Sequence, residues 1–303
     1  MISNAENRKY LDPATVSMLS NYHLIAQLIV EGFFNGLHKG PRHGFSVEYS
    51  QHRDYTVGDP LKLVDWKLYG KTDRFFVKQY EEETSLQTWL LLDISRSMSY
   101  RGEPSRISKL QYASYLAAAL AYLLLGQNDS AGLMFFDNHI RKLIPPSSSK
   151  RQLNSLLHEL KNVKEGEDSN FEEAARFAAG RMKKQGLVIL FSDLLGRPER
   201  IEKTLKYFLS HGNELIVFHL LTPEELQFPF RKFGFFEDAE TEARILLEPN
   251  LFKGEYLKQM DSYLKTLKQI CFKLRISYRL LETTTPFDEA LRTFLASRMK
   301  RRG

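Results

Sequence analysis

Strand-like and helix-like patterns of apolar and polar positions alternate along the central and carboxyl-terminal parts of this chain. Continuous apolar runs at 89–92, 131–136 and 187–191 are typical of strands buried on both faces. Shorter strand patterns lie at 140–144, 215–220 and 277–281. Helical spacing of apolar residues predicts helices at about 106–127, 152–160, 171–184, 201–209 and 256–270, and a terminal helix from about Phe287. This alternation predicts an α/β fold with a doubly wound, mostly parallel sheet.

Two stretches depart from the alternation. Before residue 85, helical spacing at 13–37 predicts one long helix or two short ones, and 45–49 and 75–79 have the pattern of strands. The later segment 222–250 contains prolines, several phenylalanines and an acidic run, which indicates an elaborated crossover. The sequence thus predicts an amino-terminal helical and β region at 1–84 and an α/β domain at 85–303.

Composition narrows the class of protein. Of the 303 residues, 43% are hydrophobic and 26% are charged, which is ordinary for a folded globular protein. The single cysteine, Cys271, excludes an internal disulfide and fits a reducing compartment. The amino terminus lacks the plan of a secretion signal, and the longest apolar run, 113–125, is shorter than the roughly 20 residues of a membrane helix. We therefore expect a cytoplasmic protein without a membrane span.

The net positive charge of the chain does not identify its function. A net charge of +6 favours acidic partners through long-range attraction. The basic tail at 298–302 is typical of a solvated chain end, and no aromatic reading motif for nucleic acid accompanies it. Nucleic-acid binding is therefore an alternative that rests on charge alone. The histidines and the cysteine lack the spacing of a zinc site.

Polar residues follow two of the predicted strands directly. Asp93, Ser95 and Ser97 come after the run 89–92, and Asp193 comes after the run 187–191. Because ligands of open α/β sheets bind at the carboxyl ends of the strands, we expect these side chains to share one edge. A simpler alternative is that Asp93 and Ser95 only cap the turn and the following helix.

A third loop supplies a further hydroxyl. Asp168, Ser169 and Asn170 precede the helix that leads into the strand ending at Asp193. Mg²⁺ prefers about six oxygen ligands and commonly keeps bound waters. The sequence therefore predicts a Mg²⁺ site, with Mn²⁺ and Ca²⁺ as alternative metals, built from Asp93, Ser95, Ser97, Ser169 and Asp193.

The chemistry of these ligands favours binding over catalysis. Two carboxylates neutralise Mg²⁺ but leave an open position, which suits an Asp or Glu of a partner protein. No positioned base, nucleophile or phosphate cradle accompanies them. The enzymatic alternative is a Mg²⁺-dependent phosphoesterase or phosphotransferase that uses Asp93, but Ser95 stands where such a site normally has a second aspartate.

The order Asp93-x-Ser95-x-Ser97, Ser169, Asp193 resembles the metal-ion-dependent adhesion site (MIDAS) of von Willebrand factor A domains. In that family two serines and a threonine contact the metal, the aspartates act largely through water, and a partner carboxylate completes the shell. The resemblance places Ser169 at the threonine position, with Asn170 as the neighbouring alternative.

A denser series of residues lies mostly before the metal site. It consists of Ser46-x-Glu48, Arg53-x-Tyr55-x-x-Gly58-Asp59, Asp65-Trp66-Lys67, Lys78 and Glu81-Glu82-Glu83. The series resembles the signature of a bacterial von Willebrand factor A-like family, domain of unknown function fifty-eight, commonly encoded beside MoxR-type AAA+ ATPases, and this closer resemblance covers almost the whole chain. It implies a von Willebrand factor A-type sheet and a non-enzymatic adaptor that works with such an ATPase in the assembly or maturation of other proteins.

Overall fold

The computed structural model describes residues 12–37, 52–54, 66–78, 87–102, 107–166, 171–182, 186–237 and 244–299. The predicted strand at 45–49 lies outside these residues. The chain forms two compact units, one of Met1–Leu37 with Leu86–Gly303 and one of His38–Ser85. The proposed division into 1–84 and 85–303 stays a prediction.

The first helices in the described part of the larger unit are α1 (Pro13–Val16) and α2 (Tyr22–Leu37). The Asp12 carboxylate accepts the backbone N–H of Thr15 and so caps α1. Of the two predicted arrangements for this region, the structure has two helices. Ile25, Ile29 and Phe33 of α2 are buried in the same core cluster as the long central helix described below. The amino-terminal addition therefore contributes to the hydrophobic core.

The described residues of the smaller unit form a short antiparallel strand pair and one helix. Strand β1 (His52–Asp54) pairs with β2 (Phe76–Lys78), and α3 (Trp66–Thr72) lies between them in the chain. Strand β2 falls within the predicted strand at 75–79. Tyr69 of α3 stacks on Phe75, with ring centroids 4.3 Å apart.

Six strands form the central sheet of the larger unit: β3 (Gln87–Asp93), β4 (Ser130–Phe136), β5 (Ile140–Ser147), β6 (Leu187–Ser192), β7 (Glu214–Leu221) and β10 (Ser277–Glu282). Their spatial order is β10-β7-β6-β3-β4-β5, and every neighbouring pair is parallel except β4 with β5. The first of these six strands along the chain, β3, therefore lies inside the sheet, and the later strands are added on both sides of it.

Helices cover both faces of this sheet: α4 (Lys109–Gly126), α5 (Gln152–Asn162), α6 (Phe171–Arg181), α7 (Pro198–Leu209), α9 (Pro249–Lys273) and α10 (Phe287–Met299). Leu90 and Leu92 of β3 face one apolar core, with α2, α4, α5 and α10. Trp89 and Leu91 face the other, with α6, α7 and α9. Because successive strand residues point to opposite faces, a continuous apolar run fills both cores.

The predicted α/β fold class, with a doubly wound and mostly parallel sheet, is confirmed. A capping box between Ser108 and Gln111 starts α4, close to the expected position. In the described part of the chain no helix is long and apolar enough to cross a membrane. Cys271 is a free cysteine and is buried.

The segment 222–250 has structure of its own. Helix α8 (Pro223–Gln227) follows β7, and a hairpin of β8 (Gly234–Glu237) and β9 (Arg244–Leu247) precedes α9. A capping box between Thr222 and Glu225 starts α8. This element leaves the carboxyl end of β7, which is the edge of the sheet where Asp93 and Asp193 lie.

Candidate metal centre

The two predicted aspartates end neighbouring strands. Strand β3 ends at Asp93, β6 ends at Ser192, and the register pairs Leu92 with Phe191. The Ser192 hydroxyl donates a hydrogen bond of 2.6 Å to Asp93 Oδ2, which ties the two strand ends together. The Ser192 hydroxyl also accepts the backbone N–H of Leu194, at 2.9 Å. Asp193 is thereby held at the same edge as Asp93.

The loop after Asp93 folds its two serines inward. Ser95 N–H donates to Asp93 Oδ1 at 3.0 Å, and a single 3₁₀ turn follows at Arg96–Ser99. The Ser95 and Ser97 hydroxyl oxygens are 3.2 Å apart, and both side chains are buried. The simpler alternative therefore holds for Asp93, which caps the turn, but the Ser95 hydroxyl makes no capping bond and lies against the Ser97 hydroxyl instead.

A buried lysine, which sequence reasoning did not identify, supplies positive charge at this edge of the sheet. Lys109 is fully buried in the first turn of α4, and its ammonium contacts Asp193 Oδ2 at 2.8 Å and Glu225 Oε1 at 2.6 Å. Its partners lie 84 and 116 residues later in the chain. Burial alone would lower the pKa of Lys109, but the Asp193 and Glu225 carboxylates outweigh burial and raise it.

Burial and mutual repulsion separate the proton affinities of the two aspartates. Burial, followed by the charge of Asp193, raises the pKa of Asp93 to about 7, against the opposing hydrogen bonds from Ser192 and Ser95. Burial also acts to raise the pKa of Asp193, but attraction by Lys109 and hydrogen bonds from Lys109 and Ser97 lower it overall. Asp193 is therefore the ionised member of the pair, and Asp93 titrates near neutral pH.

The donor set fits a hard divalent cation. Asp93, Ser95, Ser97 and Asp193 present only oxygen atoms, which Mg²⁺ prefers. In the described ranges no group of three or more His, Cys, Asp or Glu side chains is placed to hold a metal, so a cation at this edge would depend on hydroxyl oxygens as well. Ser169, its alternative Asn170 and the neighbouring Asp168 lie outside the described residues.

A buried histidine lies beside the site. His219 of β7 is level with Ser192 and is fully buried. Its Nδ1 lies 2.7 Å from the Tyr278 hydroxyl. Burial lowers the pKa of His219 to about 4, despite the nearby Asp193 carboxylate, so the ring is neutral at physiological pH. His219 therefore adds no positive charge to the edge, and sequence reasoning gave it no role.

The loop from β3 to α4 also contacts the start of α8. A Cβ at Gly102 would lie 1.5 Å from Oε2 of Glu224, so this approach requires glycine unless the glutamate moves. Glu224 is buried.

Of the residues that resemble the bacterial family, the backbone is described for Arg53 in β1, for Trp66 and Lys67 in α3 and for Lys78 in β2, and the others lie outside the described residues.

Comparison with known proteins identifies relatives over most of the chain. The model of the family described as protein of unknown function DUF58 matches residues 51–261. An uncharacterized protein of Mycobacterium bovis and one of Mycobacterium tuberculosis are each 22% identical over 233 residues, which cover 76% of this chain and 72% of the relative.

Among solved structures, the conserved hypothetical protein BatB from Bacteroides thetaiotaomicron is 18% identical, with a TM-score of 0.45 over 71% of this chain and 99% of that one. The VWA domain of SpRpn10 is 13% identical, with a TM-score of 0.32 over 45% of this chain and 75% of that one.

Proposed function

The chain belongs to the DUF58 family of proteins of unknown function, and from that premise we propose that it is a non-enzymatic, metal-dependent adaptor for protein partners. The metal is Mg²⁺, with Mn²⁺ or Ca²⁺ as substitutes. Its ligands are Asp93, Ser95, Ser97, Ser169 and Asp193. The open position accepts an Asp or Glu of the partner, and the resemblance of the sequence suggests a MoxR-type AAA+ ATPase in the cytoplasm as co-worker in assembling or maturing other proteins.

One observation carries the proposal. Two buried serine hydroxyls lie 3.2 Å apart in the loop that begins at Asp93, whose own carboxylate is tied to the next strand end through Ser192. Apolar cores need no such convergence of oxygens. Lys109 compensates the charge of Asp193, whereas Asp93 has hydrogen bonds from Ser95 and Ser192 and a raised pKa. A divalent cation here would replace the proton that Asp93 otherwise retains near neutral pH.

The geometry supports binding better than turnover. Hydrogen bonds from Ser95 and Ser192 hold the Asp93 carboxylate in one orientation and leave a second lone pair on each oxygen for a metal. His219 is neutral and bonded to Tyr278. Phosphoesterase activity is the alternative, because a carboxyl group with a pKa of about 7 can serve as an acid or base. Turnover of a generic phosphoester that Asp93→Asn abolishes would favour it.

The proposal is tested by capture of a purified MoxR-type ATPase of the same organism on the immobilised full chain. We expect capture in Mg²⁺, and its loss when the metal is chelated or when Asp93 is changed to Ala. The matched control is Asp261→Ala, which removes an aspartate whose side chain is 62% exposed on α9. Circular dichroism checks that each variant is folded.

The conditions of this experiment distinguish binding through the metal from binding through another face of the domain. Capture that needs Mg²⁺ in the wild type and is absent in Asp93→Ala supports the metal-bridged contact. Capture that persists in chelator and in Asp93→Ala would mean that the domain binds through another face and that the metal site is vestigial. Absence of capture under every condition would reject this ATPase as partner.

A further inference from the structure

A tyrosine on α9 contacts the chain directly after the predicted metal ligand Asp193. Tyr263 is half-buried and packs against the apolar core that contains Leu194. Its hydroxyl donates a hydrogen bond to the backbone carbonyl of Leu194, the residue that follows Asp193. A helix that supplies no ligand therefore contacts the chain beside one.

The backbone of the connection from β6 to α7 is unusual. The φ angle of Leu194 is +47°, in the left-handed region that residues other than glycine rarely adopt, and Gly196 has a φ angle of +149°. Such conformations persist only where the surrounding structure holds them. The Leu194 side chain is buried, its carbonyl accepts the Tyr263 hydroxyl, and its N–H donates to the Ser192 hydroxyl oxygen at 2.9 Å. These three contacts hold the turn at Leu194 in place.

The turn at Leu194 decides where the Ser192 hydroxyl points. A serine hydroxyl has one hydrogen to donate and two lone pairs that accept. The Leu194 N–H occupies one of the lone pairs, and the single hydrogen is donated to Asp93 Oδ2 at 2.6 Å. Ser192 is 1% exposed, so water does not compete for these bonds. The orientation of the Asp93 carboxylate therefore depends on the turn that Tyr263 holds.

We propose that Tyr263 is a positioning residue of the metal centre, which acts on Asp93 through Leu194 and Ser192. The inference rests on the proposed function, because it gives Tyr263 a role at the metal site proposed there. Mg²⁺ demands near-ideal octahedral geometry, so its affinity depends on the orientation of each ligand. Helix α9 thereby sets the affinity of the metal centre without contributing a ligand to it.

The surroundings of Tyr263 keep its hydroxyl protonated. Burial, followed by the negative charge of Asp193, raises the pKa of Tyr263, although a hydrogen bond from the Gly196 backbone acts in the opposite direction. The phenol therefore remains a donor at physiological pH. The contribution of Asp193 also places the hydroxyl close to the metal-binding edge.

The simpler alternative is that Tyr263 only satisfies a buried carbonyl. In that case its hydroxyl would contribute to stability and would leave the affinity for metal unchanged. A positioning role predicts a change in metal affinity that depends on Ser192. The two roles are separated by measuring Mg²⁺ binding and the local opening of the turn in the same variants.

Calorimetric titration of Mg²⁺ into the full chain is the first measurement. Tyr263→Phe keeps the ring and removes the hydroxyl, and we expect it to weaken Mg²⁺ binding by roughly tenfold, the usual effect of losing a group that orients a ligand. Ser192→Ala should weaken binding at least as much. The double variant should bind as Ser192→Ala does, because both changes interrupt one chain of hydrogen bonds.

Tyr112→Phe is the matched control. The Tyr112 hydroxyl also donates to a backbone carbonyl, that of Thr285, at 2.8 Å. Thr285 follows β10, which two strands separate from β3 and its terminal Asp93. We expect this variant to bind Mg²⁺ as the wild type does. Circular dichroism checks that every variant is folded.

Amide hydrogen exchange of Leu194 in the metal-free chain is the second measurement. It reports how often the Leu194 N–H separates from the Ser192 hydroxyl, and it requires no metal. We expect Tyr263→Phe to accelerate this exchange by roughly tenfold, since the loss of its hydroxyl leaves the Leu194 carbonyl without that bond. Tyr112→Phe should leave the exchange rate unchanged.

The outcomes distinguish this inference from the proposed function. Mg²⁺ binding by the wild type that Tyr263→Phe leaves unchanged, or that Tyr112→Phe weakens equally, would overturn the role of Tyr263 and leave the metal centre standing. Unchanged exchange of Leu194 in Tyr263→Phe would overturn it as well. A wild type that binds no Mg²⁺ would instead reject the metal centre, and with it any positioning residue.

Discussion

Lys109 supplies the positive charge that the buried acidic groups around it require. Its ammonium contacts both Asp193 and Glu225, and the Asp193 and Lys109 side chains are at most 3% exposed. Removing one partner of a buried ion pair leaves an uncompensated charge in a medium of low dielectric constant. Asp193 therefore depends on Lys109 to stay ionised in the metal-free protein.

We expect Lys109→Met to lower the free energy of unfolding by about 3 kcal/mol, since breaking a buried ion pair typically costs that much. Urea denaturation measures it. Mg²⁺ should restore part of the loss, because the cation would replace the missing positive charge. In the control Lys265→Met, which breaks an exposed pair with Asp261, the loss should stay below about 0.5 kcal/mol. Equal effects of the two changes would contradict the role given to Lys109.

The raised pKa of Asp93 predicts a dependence of stability on pH. Its pKa is about 7 in the folded protein and its ordinary value is 3.8, so the folded state holds the proton more tightly than the unfolded state between these values. The stabilising contribution of Asp93 is therefore complete below pH 3.8 and is lost as the pH rises through about 7.

Asp93→Asn removes this titration. Without divalent cations, we expect the variant to gain stability relative to the wild type between about pH 4.5 and pH 8, by roughly 3 kcal/mol. Urea denaturation across this pH range measures the difference. A difference that stays constant with pH would show that the pKa of Asp93 is not raised.

The start of β6 depends on a close approach between two strands. A Cβ at Gly186 would lie 2.3 Å from the backbone oxygen of Gln87, at the beginning of β3. Backbone cannot yield as the end of a side chain can, so a methyl group here would push the two strands apart. These are the strands whose other ends hold Asp93 and Asp193.

Gly186→Ala is therefore expected to lower the free energy of unfolding by about 2 kcal/mol. Gly180→Ala is the matched change, because a Cβ there meets no atom within 4 Å and the residue lies in α6. It should raise stability by about 0.5–1 kcal/mol, since alanine favours the helix. Guanidinium denaturation compares the two, and changes of the same sign would contradict this account.

Sequence pattern predicted the strands best where they are buried on both faces. The apolar runs of β3, β4 and β6 mark strands at the centre of the sheet, and Asp93 and Asp193 follow two of them. The pattern of 140–144 indicated a strand but could not show that it runs antiparallel to its neighbour. Side chains alternate with a period of two residues in parallel and in antiparallel strands alike.

Long-range partners explain what sequence reasoning missed. Lys109 looks like any lysine in a first helical turn, and its burial depends on Asp193 and Glu225, which lie far away in the chain. The hairpin of β8 and β9 was predicted only as an elaborated crossover, since its acidic connection lacks the short turn signals of a tight hairpin.

The doubly wound sheet brings these features to one edge. Asp93, Asp193 and Glu225 follow three adjacent parallel strands, β3, β6 and β7. The Tyr256 hydroxyl donates to the Glu225 carbonyl at 2.8 Å, which connects α9 and the base of the hairpin to the same edge.

Calorimetric titration of Mg²⁺ into the full chain tests the metal-dependent account most directly. We predict saturable binding to one site in the wild type, with protons released near pH 7 as the cation displaces the Asp93 proton. Binding should be lost in Asp93→Asn and retained in Asp261→Ala. Absence of binding in the wild type, or equal binding in Asp93→Asn, would contradict the central claim.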